Sequence, residues 1–136
     1  MGASVQSDGE IEHAVAGLER GRGRAVLIVE PSPDHQARLA RLTAVSGHRA
    51  VATSTLDGAR ALLRAFPVDL VLLAEELTGD TPLPVVAEMV GRRPNARVVI
   101  MTHPKSDDEP SEFPQLGTLE YIPRSLGHDD LQSLLG

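Results

Sequence analysis

The apolar run Leu70-Val-Leu-Leu-Ala74 decides the fold, because no polar residue interrupts it. A strand with one face in water alternates apolar and polar side chains, whereas a strand covered on both faces is apolar throughout. Ala25-Val-Leu-Ile-Val29 has the same pattern, and Arg97-Val-Val-Ile-Met-Thr102 carries it between two polar ends. The three runs predict buried strands of a parallel sheet.

Helical patterns and turn residues separate these runs. Leu39, Leu42 and Val45 recur at helical spacing after Pro33, and Gly47 ends the segment. The other predicted elements are a strand at 49–54, a helix through Ala59 and Phe66, a helix from Val85 to Val90, a strand at 119–122 and a short helix around 129–135. Regular alternation of strands and helices predicts an α/β fold, a single doubly wound (βα)5 domain with helices on both faces of the sheet.

Composition limits the classes of protein that this chain can represent. Aromatic residues make up 2% of the 136 residues, so we expect a core of aliphatic side chains. Cysteine is absent, which excludes disulfides and thiolate chemistry. The net charge is −6 with scattered arginines, which disfavours direct contact with nucleic acid. No apolar run is long enough to span a bilayer and no signal peptide is evident, so we expect no membrane contact and a cytoplasmic protein.

The chain divides at about residue 24. Residues 1–24 carry one weakly apolar helical stripe between Gly- and Arg-containing ends, which predicts a flexible leader or a short helix. Residues 25–136 contain all the regular alternation and form the domain. In doubly wound sheets, functional groups lie at the carboxyl ends of the strands. The positions that matter are therefore Glu30, Pro31, Ala74, Thr102 and Arg124.

Five stretches in fixed order resemble the receiver domains of bacterial response regulators, the CheY-like family. They are Val26-Leu-Ile-Val-Glu30, Gly47-His-Arg-Ala-Val51, Asp69-Leu-Val-Leu-Leu73, Val98-Val-Ile-Met-Thr102 and Gly117-Thr-Leu-Glu-Tyr-Ile-Pro-Arg124. The resemblance covers residues 25–136. It implies a five-stranded parallel sheet in the order 2-1-3-4-5, and the three prolines between His103 and Gly117 imply a short or disrupted fourth helix. The fifth helix is expected to be short as well.

The resemblance also implies a chemistry that this sequence has lost in part. Receivers accept a phosphoryl group on an aspartate, hold Mg²⁺ with two acidic residues, and bind the phosphoryl oxygens with Thr or Ser and Lys. Here the acceptor position is Ala74, the acidic pair is Glu30 and Pro31, and the Lys position is Arg124. Ser125 follows where the family usually has a cis-bonded proline. Thr102 alone matches, so we expect weak or absent Mg²⁺ binding, no other cofactor and no metal site.

Three further expectations concern the neighbourhood of this degenerate phosphorylation pocket. Thr102 serves equally well as a simple β-branched strand end. Tyr121 occupies the family's switch-aromatic position, and in the absence of a phosphoryl trigger we favour a packing role for it. Arg124 is expected to pair with Glu30 or Glu75 across the pocket.

We therefore interpret the domain as a phosphorylation-independent pseudo-receiver, a protein-interaction or regulatory module of two-component-type signalling and not an enzyme. Its partner would be an unidentified protein, an effector domain beyond Gly136 or an N-terminal neighbour. The alternative is a non-standard receiver that is switched by a displaced acidic residue such as Glu75, or by a small anionic ligand in the vacated pocket.

Overall fold

The computed structural model describes residues 23–65, 67–102 and 119–135. Within these ranges five strands form one parallel sheet in the order β2-β1-β3-β4-β5, which confirms the predicted fold class and strand order. The strands are β1 (Ala25–Val29), β2 (Arg49–Thr53), β3 (Leu70–Ala74), β4 (Arg97–Thr102) and β5 (Glu120–Pro123). The helices are α1 (Pro33–Val45), α2 (Leu56–Ala65), α3 (Pro82–Arg92) and α4 (His128–Leu135), and a 3-10 turn spans Glu75–Leu77.

The apolar runs form strands because both of their faces are covered. Every residue of β1 and β3 is buried. Alternate side chains enter two aliphatic clusters, one beneath α2 and α3 and the other beneath α1 and α4. Leu73 lies in the first cluster and Leu72 in the second, as the alternation of a strand requires.

The ends of the helices follow local capping chemistry. The Ser32 hydroxyl accepts a hydrogen bond from the backbone N–H of His35, and Pro33 begins α1. Gly47 adopts a φ of +87°, a left-handed conformation that favours glycine, just after α1 ends. At α2, Thr55 is the capping residue, because its hydroxyl accepts from the N–H of Gly58 at 3.0 Å.

A few boundaries differ from those that the sequence predicts. α3 begins at Pro82, before the predicted start at Val85, because proline is tolerated in the first turn of a helix. β2 ends at Thr53, one residue early, and β5 is displaced by one residue to Glu120–Pro123. α4 has 8 residues, which confirms that the last helix is short.

Two of the expectations fall on segments that the structure does not describe. The predicted leader lies outside the described residues up to residue 22, and so does the proline-containing segment 103–118. Among the described residues, no helix combines the length and the apolar character that crossing a membrane would need.

Candidate functional site

The strands end together at one edge of the sheet, which we call the carboxyl edge. Its residues are Glu30, Ala74, Thr102 and Arg124, each at or just beyond the end of a strand. Strand register places them, because Val29 pairs with Leu73 and Thr102 pairs with Pro123. The structure therefore brings the residues singled out in the sequence to one edge.

Ala74 is the last residue of β3 and its side chain is part of the core. It is 0% exposed and belongs to the aliphatic cluster beneath α1 and α4, together with Leu70 and Leu72 of the same strand. Its methyl group offers neither a nucleophile nor a polar contact. The position that would carry the acceptor in the resembled family is thus filled by apolar packing.

Glu30 is fully buried and firmly held. Its backbone N–H donates to the carbonyl of Thr53 at 2.9 Å, and its own carbonyl accepts from Gln36 Nε2 at 2.8 Å. One carboxylate oxygen, Oε2, accepts from the backbone N–H of Ser32 at 2.9 Å. Pro31, between them, has no N–H to donate and no oxygen on its side chain. Its side chain is half-buried.

Arg124 supplies the positive charge opposite Glu30. Its Nε lies 2.9 Å from Glu30 Oε1, and its Nη2 contacts Glu76 Oε1. The Arg124 side chain is 4% exposed and that of Glu30 is 0% exposed. The Nε–H does not point at Oε1 well enough to count as a hydrogen bond, so charge attraction rather than an aligned hydrogen bond joins these two atoms.

The pairing with Glu30 is one of the two that the sequence suggested, and the second partner is Glu76 rather than Glu75. β3 ends at Ala74, and the 3-10 turn Glu75–Leu77 then replaces the alternation of a strand with three residues per turn. Thr78 closes this turn, with its N–H at 3.0 Å and its hydroxyl at 2.7 Å from the carbonyl of Glu75. The sequence feature that could have indicated Glu76 as a partner is the pair of acidic residues between an apolar run and a Thr-Gly turn.

The loop after β5 is held from the opposite side by α1. Arg38 Nη2 donates to the carbonyl of Arg124 at 2.6 Å and to that of Leu126 at 3.1 Å. The Arg124 N–H donates to the carbonyl of Thr102 at 3.3 Å. Ser125 follows in this loop, and the described part of the chain contains no cis peptide bond. Nothing in the sequence pattern pointed to Arg38, because it is an exposed helix residue far away along the chain.

Thr102 and Tyr121 make contacts of a different kind. The Thr102 hydroxyl donates to the backbone carbonyl of Ile122 at 3.4 Å, a long contact between neighbouring strands. Tyr121 is half-buried and packs against the aliphatic cluster beneath α2 and α3. Burial raises the pKa of Tyr121, and the nearby Glu75 carboxylate raises it further. These contacts are those of a strand end and of a packed aromatic residue.

The residues at this edge do not fit a magnesium ion. Mg²⁺ requires several hard oxygen ligands in octahedral geometry, and Pro31 provides no side-chain oxygen where the resembled family has a second acid. Both carboxylate oxygens of Glu30 are engaged, and the guanidinium beside it would repel a cation. In the described ranges, no three His, Asp or Glu side chains cluster as metal ligands would.

Several solved structures to which this chain is similar are response regulators. A response regulator from Thermotoga maritima is 15% identical, with a TM-score of 0.69 over 84% of this chain and 98% of that one. One from Burkholderia pseudomallei, solved with a phosphorylated aspartic acid, a calcium ion and citrate, is 18% identical, with a TM-score of 0.67 over 84% of this chain and 67% of that one. A chain from the complex of histidine kinase ThkA with response regulator TrrA is 20% identical, with a TM-score of 0.65 over 84% of this chain and all of that one.

At these identities the likeness establishes a shared fold. The sequence matches no protein-family model, and no curated protein is significantly similar to it. The structural likeness agrees with the family resemblance in the sequence: the chain has the receiver-domain fold, with Ala74, Glu30 and Arg124 at the edge described above.

Proposed function

We propose that this domain is a pseudo-receiver, a protein-interaction or regulatory module of two-component-type signalling that works without phosphorylation and is not an enzyme. One observation carries the proposal. The guanidinium of Arg124 pairs with both Glu30 and Glu76, and Ala74, at the acceptor position, is fully buried. The edge that would hold an acceptor, a metal ion and a phosphoryl group is occupied by protein side chains.

The chemistry of phosphoryl transfer supports this proposal. Transfer to a receiver needs a carboxylate nucleophile and positive charge that neutralises the moving phosphoryl group. A methyl group stands at the nucleophile position, and the positive charge of Arg124 is already paired with two carboxylates. An entering phosphate would have to displace one of these carboxylates, and the buried pair with Glu30 is costly to separate.

The choice of a protein partner follows from the fold and from the surface charge. In the ThkA–TrrA structure a response regulator is bound to a histidine kinase, so one protein of the related fold meets its partner through protein contacts. The net charge of −6 argues against nucleic acid as the direct partner. We propose a cytoplasmic protein partner, with no membrane contact and no cofactor.

Incubation with acetyl phosphate and Mg²⁺, followed by intact-mass measurement, tests the proposal. We expect no gain of a phosphoryl group, while a receiver that retains its aspartate gains one under the same conditions. A stoichiometric gain would contradict the proposal. Its site would then be found by repeating the reaction with Glu75→Gln and with Glu76→Gln.

The alternative, a receiver switched by a displaced acid or by a small anion, has one observation in its favour. Glu76 lies on the guanidinium and its side chain is 37% exposed, so it is the accessible carboxylate of the site. Loss of labelling in Glu76→Gln alone would establish a displaced acceptor. Chemical-shift changes confined to the residues around Arg124 on addition of inorganic phosphate would establish an anion site. If neither result is obtained, the pseudo-receiver remains.

A further inference from the structure

Arg124 connects four separate segments of the carboxyl edge. Its side chain contacts Glu30 after β1 and Glu76 in the turn after β3. Its N–H donates to the last residue of β4, Thr102, and its carbonyl accepts from Arg38 of α1. One residue, just beyond β5, therefore contacts the segment after β1, the turn after β3, the end of β4 and helix α1.

Both members of the buried ion pair are held by further contacts of their own. Glu30 is fixed by Ser32 on its carboxylate and by Gln36 on its carbonyl. The loop of Arg124 is fixed by Arg38, which also reaches the carbonyl of Leu126. Because each partner is anchored separately, the ion pair cannot move as a unit without breaking hydrogen bonds on both sides.

The two arms of the guanidinium differ in burial. The Glu30 arm is shielded from water, whereas Glu76 is 37% exposed. Swinging Arg124 away would leave the Glu30 charge buried without its partner, which is strongly unfavourable. A conformational switch requires two arrangements of similar free energy. Any arrangement that separates Arg124 from Glu30 has a higher free energy than the one observed.

We propose that Arg124 is a permanent cross-brace that keeps the carboxyl edge in a single arrangement, so that a partner meets the same surface at all times. The amounts of the two proteins, rather than a conformational switch, then set how much complex forms. This inference rests on the proposed function, because it describes an edge that receives no phosphoryl trigger.

Amide relaxation dispersion and hydrogen exchange of the whole chain test the brace. In the wild type we expect no microsecond-to-millisecond exchange at residues 30–32, 75–78 and 124–127. Glu76→Ala removes the exposed arm, and we expect hydrogen exchange at 75–78 to rise about threefold or more. Glu88→Ala is the matched control, because Glu88 is similarly exposed and also contacts arginines, on α2 and α3; its edge amides should keep the wild-type rates.

A second variant removes both arms of the guanidinium without leaving a buried charge unpaired. In Glu30→Gln/Arg124→Met we expect faster exchange in all three edge segments, with the amides of β1 and β3 still protected. Two-state exchange at the wild-type edge, or unchanged edge rates in both variants, would overturn the brace. Either result would overturn the brace while acetyl phosphate still fails to label the chain, whereas labelling of the chain would be the failure of the proposed function itself.

Discussion

Two arginine–glutamate pairs lie at opposite edges of the same sheet and differ mainly in burial. Arg124 and Glu30 meet at the carboxyl edge with side chains 4% and 0% exposed. Arg97 and Glu120 meet at the amino ends of β4 and β5, where their side chains are 43% and 39% exposed. The chemical groups are identical, so the comparison shows how burial and hydrogen-bond geometry each affect an ion pair.

The exposed pair has the better hydrogen-bond geometry, whereas the buried pair is the one that water cannot screen. The exposed pair is well aligned, with Arg97 Nε at 2.9 and 3.0 Å from the two carboxylate oxygens of Glu120. The buried pair makes its Nε–Oε1 contact without hydrogen-bond alignment. Water screens the first pair and competes for its groups, whereas nothing replaces a lost partner in the second. The less well aligned pair is therefore the one whose disruption is more damaging.

Removing the arginine from each pair should give the largest difference, measured as the loss in the free energy of unfolding. Arg124→Met leaves Glu30 as a buried, unpaired carboxylate, and we expect a loss of about 3–5 kcal/mol in the free energy of unfolding. Arg97→Met deletes the same group at a solvated site, where the expected loss is at most about 1 kcal/mol. Urea denaturation of both variants measures the difference.

The double variant Glu30→Gln/Arg124→Met separates loss of the pair from the cost of the orphaned charge. Because it removes both charges, we expect it to be more stable than Arg124→Met alone. Equal losses in Arg124→Met and Arg97→Met would show that burial does not distinguish the two pairs.

The same contrast explains which parts of the structure were predictable. Strands β1, β3 and β4 have the predicted bounds because a short, uninterrupted apolar run between helical segments has few alternatives to a strand covered on both faces. The pairing of Arg124 with Glu30 also followed, since parallel strands bring their carboxyl ends to one edge. Both predictions rest on patterns that local sequence and topology impose.

Contacts that depend on the geometry of turns did not follow from the sequence. Glu76, rather than Glu75, reaches Arg124, and it does so from a 3-10 turn that begins directly after Ala74 and that no pattern in the sequence predicted. Arg38 reaches the loop after β5 from one turn inside α1, although no periodicity marks it. Side chains that bind backbone carbonyls across long separations leave no pattern in a single sequence.

Raising the salt concentration should weaken the exposed ion pair more than the buried one, an effect smaller than that of the substitutions. Raising ionic strength from about 0.1 M to about 1 M shortens the screening length from about 10 Å to about 3 Å in solvent. We expect the coupling free energy of Arg97 and Glu120, at most about 1 kcal/mol, to fall, and that of Arg124 and Glu30 to remain nearly constant. Double-mutant cycles at both salt concentrations measure the two couplings. Parallel decreases would mean that solvent reaches the buried pair.

The smallest effect concerns Tyr121, which lies on β5 between Glu120 and Arg124. Burial and then the Glu75 carboxylate raise its pKa above the ordinary 10.0, so the folded state binds the phenolic proton more tightly than the unfolded state. This contribution to stability is complete below the ordinary pKa and is lost as pH rises through the folded value. Both guanidinium groups stay charged in that window, so neither ion pair changes with it.

The titration of Tyr121 can be followed directly, because the chain has one tyrosine and no tryptophan. We expect the midpoint of tyrosinate absorbance to lie higher in the native protein than in denaturant. Glu75→Gln should move the native midpoint down only part of the way, since burial is the larger cause. Equal native and denatured midpoints would show that water reaches Tyr121 on β5. The burial of Arg124 from water would then not extend to Tyr121.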